Sequence, residues 1–114
     1  MVEITGQCYL LAATKVCYEL GDAAMLIHGE PQLQIAPYTN FGHAWVEIGD
    51  RCWDPIKDRW YSRLPYYSAG KIDPLKTVRY TKMQTLQKLL EEEHWGPWHE
   101  DQDTPAKNVE AKSE

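Results

Sequence analysis

The chain has 114 residues, 43% of them hydrophobic and 25% charged, and a net charge of −5. That length bounds it to one domain with a single modest core. No Lys/Arg cluster marks a nucleic-acid surface, and no apolar run is long enough to cross a bilayer, so both of those partners are excluded from the expectation. In chain order, Thr5 can cap a helix over 6–20 with Gly21 as its stop, and Leu10, Ala13, Cys17 and Leu20 form a core-facing stripe. "AAMLIHGE" reads as a short buried strand, and "QLQIAPYTNFG" becomes a loop in its second half. Residues 43–48 alternate apolar and polar at period 2, Gly49-Asp50 is a two-residue turn, and 51–54 return as the partner strand. "DRWYSRL" can extend the sheet, "PYYSAGKIDP" reads as a surface loop, and "TVRYT" as a last strand. A helix over 82–94 follows, with Leu86, Leu89 and Leu90 on its apolar side. The expected class is α+β, an antiparallel sheet packed on the first helix. Residues 1–98 form the domain. Residues 99–114 carry five acids and two lysines, have almost no large apolar residues, and are expected to be a disordered tail.

The hairpin register has a chemical consequence. With Gly49-Asp50 as the turn, Ile48 lies opposite Arg51 and Asp54 opposite Trp45. His43 is then the diagonal neighbour of Asp54 on the same face, at roughly 7–8 Å between backbones, within reach of an imidazole and a carboxylate. A three-residue loop would put Asp54 on the other face. The plain alternatives are a structural histidine and a turn-initiating Asp-Pro pair.

Cys8 adds a third group. On the expected helix it falls in the first turn, where exposed N–H groups and the macrodipole favour a thiolate. A thiol nucleophile, an imidazole to move its proton and a carboxylate to orient the imidazole are what covalent acyl transfer needs. Cys8, His43 and Asp54 supply them in that order.

"GQCYLLA" resembles the nucleophile motif of the transglutaminases and the wider transglutaminase-like cysteine peptidases. "GHAWVEI" is similar to the superfamily's His-x-Trp-x-Glu strand, and "RCWDPIKD" to its Trp-Asp-Pro or Trp-x-x-x-Asp strand. The three occur in the family's order over residues 6–58. The resemblance implies a papain-like core with the N-terminal active-site helix on an antiparallel sheet and a C-terminal helix. It carries the nucleophile to Cys8, the general base and acid to His43, and the orienter to Asp54. The upstream oxyanion-stabilising aromatic of the large transglutaminases has no counterpart before Cys8. The Cys8 N–H is therefore one expected oxyanion donor. Gln7 is the first candidate for the second, and Asn40 and Tyr38 are equally placed to reach the site from their loop.

The expected activity is cysteine-dependent acyl transfer on an amide or peptide bond through a thioester, with hydrolysis favoured over amine transfer. The substrate is a protein or peptide, and no metal or cofactor takes part. The alternative is a binding or interaction module that keeps the fold without turnover. Three cysteines without a CxxC pair, and no secretory leader at Met1, lead to the expectation of free thiols in the cytoplasm. The four His and three Cys lack metal-ligand spacing. Five Trp and seven Tyr against one Phe give most aromatics a polar handle. Trp45, with Asn40 and Tyr38, can line a substrate cleft; packing is the plainer role for Trp45. Cys17 and Cys52 are expected to be structural, as is His28, and Glu47 a surface or sheet-edge residue. His94, Trp95 and Trp98 read as a C-terminal clamp.

Overall fold

A computed structural model describes residues 2–98, with side chains from Gln7 onward, so the expectation for the tail at 99–114 lies outside the described residues. The elements are α1 (Val2–Thr14), a π-helical turn (Lys15–Glu19), β1 (Met25–Gly29), β2 (His43–Ile48) and β3 (Arg51–Asp54). β4 (Arg59–Ser62), α2 (Arg63–Gly70), a 3-10 turn (Pro74–Lys76), β5 (Val78–Tyr80) and α3 (Lys82–Glu92) follow. The strands form one antiparallel sheet in the order β4-β3-β2-β1-β5. The protein is therefore α+β, with an antiparallel sheet and three α-helices among the described residues. No helix among them is long and apolar enough to cross a membrane.

The period-2 pattern sorts the side chains onto two sheet faces. On one, Leu26, Ala44, Val46, Trp53, Val78 and Tyr80 pack against Cys8, Tyr9, Ala12 and Ala13 of α1 and Val16 of the π-helical turn. The alanines let helix and strand approach closely, as a close-packed interior requires. On the other face Ile27, Trp45 and Cys52 pack against Tyr67 and Ile72. The hairpin has the expected register, Val46 opposite Trp53, Glu47 opposite Cys52 and Ile48 opposite Arg51. Gly49, at φ +60°, takes the position of a two-residue turn that other residues fill only with strain.

Four expectations are corrected. The first helix starts at Val2, not after Thr5, so Cys8 lies beyond its first turn. Its last turn widens: Leu20 N–H donates to Lys15 O, five residues back, at 3.0 Å. The buried face runs through Tyr9, Ala12, Ala13 and Val16, while Leu10 and Leu20 are only half-buried. "PYYSAG" is helical rather than a loop, because Pro65 falls in the first turn, where proline is tolerated, and Lys71 closes the helix in the left-handed conformation.

The fourth correction concerns α3, whose Leu90 is 81% exposed while Thr85 is fully buried. The helix is begun by a capping box. Gln84 N–H donates to Thr81 Oγ1 at 3.1 Å, and Thr81 N–H donates to Gln84 Oε1 at 2.9 Å. Thr81→Ala should lower stability by about 1 kcal/mol, read as a shift in the urea midpoint at unchanged slope. Of the expected C-terminal clamp only Trp98 is in the core, against His28 and Tyr80 with ring centroids 5.0 Å away. His94 and Trp95 remain exposed.

Candidate active site

His43 opens β2, and the Gly42 before it lets α1 come close. A Cβ at Gly42 would sit 2.6 Å from the Tyr9 hydroxyl oxygen. Asp54 closes β3, placed on the His43 face by the hairpin register. The imidazole Nε2 lies 3.2 Å from Asp54 Oδ2. The same imidazole also hydrogen-bonds the Cys8 sulfur, an interaction that favours the protonated, donating ring. With Nε2 facing the carboxylate, Nδ1 is the nitrogen left for sulfur. The three residues expected to act together are thus brought together, each buried.

Asp54 fills both roles that its sequence allowed, one on each oxygen. Oδ1 accepts the Ile56 and Lys57 N–H groups at 2.9 and 3.1 Å, which makes the turn. Oδ2 accepts from His43 and also from the Tyr66 hydroxyl at 2.6 Å. Burial opposes the carboxylate's charge, but the hydrogen bonds from His43 and Tyr66 prevail and hold its pKa well below the ordinary range. Burial likewise pulls His43 down, and the bonds to Asp54 and Cys8 override it, raising the imidazole to about 9. At neutral pH the ring is therefore a cation beside the sulfur, the setting in which thiolates act.

The ring is held between aromatics. Trp45 stacks on it at 5.8 Å between centroids and Phe41 packs at 5.9 Å. Trp45 is fully buried, so it packs the histidine and does not line a cleft. Its indole N–H donates to Glu47 Oε2 at 3.0 Å. Glu47 is no surface residue: it is 1% exposed. Its carboxylate accepts from Tyr67 Oη and, at 2.8 Å, from Arg79, with Arg63 3.7 Å away. Burial opposes its charge, but Tyr67, Trp45 and Arg79 hold its pKa down. Cys52 donates to Glu47 Oε2 at 3.6 Å, and burial followed by the carboxylate's charge pushes the thiol up. Cys52 and Cys17 are both buried, which fits the structural role expected of them.

The weaker candidates fare differently. Gln7 is exposed on α1. A helix that begins at Val2 takes the Cys8 N–H into its own ladder, so that group is not the expected oxyanion donor. Tyr38 is exposed at φ 60°. Asn40 donates its amide to Glu30 O at 2.8 Å. It lines a polar pocket of about 300 Å³ with Gln32, Lys71 and Lys76 among others, none of them Cys8, His43 or Asp54. His28 is buried among Tyr9, Tyr80 and Trp98. None of the three thiols is in a disulfide. Among the described residues no group of three His, Cys, Asp or Glu could hold a metal ion.

Sequence reasoning missed Tyr66, Tyr67 and the Glu47 cluster for one shared reason. With 65–74 read as a loop, nothing covered the His43/Trp45/Glu47 face, so its glutamate was assigned to solvent. The usable signal was the glutamate's parity with His43 and Trp45 on the strand. A carboxylate on a buried face requires donors, and the paired tyrosines could supply them. Compared with protein-family models, characterised proteins and solved structures, the chain matches none of them.

Proposed function

We propose that this chain is a cysteine-dependent acyl-transfer enzyme acting on an amide or peptide bond of a protein or peptide. The observation that carries the reading is the Cys8–His43–Asp54 chain of hydrogen bonds, with Nε2 3.2 Å from the carboxylate. Its likeness to the transglutaminase-like cysteine peptidases, and the papain-like core that this likeness implies, belong to the same proposal. So does a reducing cytoplasmic setting, which suits three buried thiols.

In this mechanism Cys8 Sγ attacks the carbonyl carbon, and the C=O electron pair moves to oxygen. The imidazolium gives its proton to the departing amine as the C–N bond breaks, leaving a thioester and a neutral ring. The ring then takes a proton from water, the hydroxide carbon–oxygen bond forms, and the thiolate departs to restore the ion pair. Asp54 fixes the tautomer throughout, keeping Nε2 protonated and Nδ1 toward sulfur. Water is the favoured acceptor; an amine in its place would give transamidation.

A second reading has its own support: Cys8 is 0% exposed, which fits a binding module that keeps the arrangement without turnover. Iodoacetamide separates the two. For the enzyme, native protein is alkylated at Cys8 at pH 6–7, and His43→Ala slows the reaction about 100-fold or more. Labelling of Cys8 only after denaturation would establish the binding module instead. Ammonia release, peptide cleavage and amine incorporation then distinguish the reaction types.

A further inference from the structure

The Asp54 oxygen that faces His43 is shared. His43 Nε2 lies 3.2 Å from Oδ2, and the Tyr66 hydroxyl donates to that same atom at 2.6 Å. The carboxylate does not need the phenol to keep its orientation, since Oδ1 is bonded to the Ile56 and Lys57 N–H groups. A second donor on Oδ2 therefore acts on charge more than on placement. It draws electron density from the oxygen and weakens its hold on the imidazolium proton.

We infer that Tyr66 is a positioning residue that sets the basicity of His43 through Asp54, making the imidazolium a stronger acid than the carboxylate alone would allow. The inference rests on the reading of Cys8, His43 and Asp54 as the reacting groups. Its chemical consequence lies in the first half of the reaction. A buried carboxylate with one partner would grip the imidazolium proton, and proton delivery to the leaving amine would be slow. Sharing Oδ2 loosens that grip while leaving the ring's direction unchanged.

Tyr66 is built for this. It projects from α2 with its ring 5.7 Å from Trp45, 5.5 Å from Tyr61 and 6.5 Å from Tyr67. Trp45 in turn stacks on His43, so phenol and imidazole share a wall. Burial raises the phenol's pKa and the Asp54 carboxylate raises it further, so the hydroxyl stays a donor over the whole working range. The groups facing His43 are Cys8 from α1, Asp54 from β3, and the uncharged rings of Phe41 and Trp45. Those facing Tyr66 are Asp54, Cys52 and Tyr61. Glu47 lies further along the same face, bonded to Trp45 and Tyr67, and has no hydrogen bond to Tyr66 among those described.

The test is an NMR titration of the His43 ring in the full chain, assigned by its loss in His43→Ala. Tyr66→Phe should raise the His43 pKa by on the order of half a pH unit or more. An unchanged or lowered value overturns the inference, because a purely packing role leaves the pKa alone and a loosened site moves it down. Site-specific 3,5-difluorotyrosine at position 66 keeps the ring and strengthens the donor, so it should shift His43 the opposite way. If Tyr66→Phe does not fold, that variant decides alone, and no downward shift refutes the role. Neither titration needs activity. A shifted His43 with an unreactive native Cys8 would sink the enzyme reading and keep this one. His43-dependent alkylation with an unmoved titration would do the reverse.

Discussion

If the chain is the proposed thiol enzyme, Asp54→Asn is expected to reduce turnover by about 10³–10⁴-fold while leaving a folded protein. The reasoning starts from what the amide can and cannot accept. An asparagine can keep its oxygen on the Ile56 and Lys57 N–H groups, as Asp54 Oδ1 does. Its NH2 then occupies the place of Oδ2, facing His43 Nε2 and Tyr66 Oη, both of them donors to the native carboxylate. The imidazole must turn Nε2 into an acceptor, which moves its proton to Nδ1 and presents a donor rather than a base to sulfur. The acid–base behaviour should change with it. Without the carboxylate, His43 should titrate well below about 9, since burial lowers it and only Cys8 is left to raise it. The pH–rate profile of Cys8 alkylation is the measurement.

The same pair gives a stability signature. His43 titrates higher folded than unfolded, so its contribution is fully present below about 6.5 and is lost as pH rises through about 9. The Asp54 carboxylate is held below its ordinary 3.8, so its contribution is present above that value and is lost as pH falls below it. The two describe one interaction and are not summed. Asp54→Asn should flatten both limbs of a plot of urea midpoint against pH.

Glu47→Ala should be the most destabilising single change at this end of the sheet, by about 3–5 kcal/mol. One carboxylate with 1% exposure serves Trp45, Cys52, Tyr67 and Arg79. Truncation leaves several buried donors without their acceptor and fills none of the vacated volume. Since domains of this size are stable by only about 5–15 kcal/mol, thermal unfolding by circular dichroism should show the loss directly. Glu47→Gln keeps an oxygen and should be milder. Because the native carboxylate titrates below its ordinary 4.5, its stabilisation is present above that pH and fades as pH falls, and the Gln variant should lack this dependence.

How much of this was readable beforehand follows from the range of the interactions. The β2–β3 hairpin and the His43–Asp54 pairing were legible because a two-residue turn fixes register locally, and register fixes which side chains meet. Cys8 was legible as a partner through the likeness of its motif, yet its place on the helix was not. The cue at Thr5 competed with a helix that continues back to Val2, and capping residues can also sit inside helices. The covering of the sheet's second face was opaque. Pro65 and Gly70 look like loop punctuation until one sees that they lie in the first turn and at the end of an eight-residue helix. Glu47 as a surface group failed for that reason, and the same cover gives Trp45 its plainer role, packing, rather than that of a cleft wall.

The ion pair between Arg79 and Glu47, 2.8 Å apart, crosses from the outermost strand β5 over β1 to β2. An edge strand of three residues would ordinarily fray ahead of the rest, with its amides exchanging through small local openings. Anchored this way, β5 cannot peel off without stripping a charge from the buried carboxylate that steadies Trp45 and, through it, the His43 ring. Its amides should therefore exchange in one cooperative unit with those of β2. The sheet margin and the His43 ring open together or not at all.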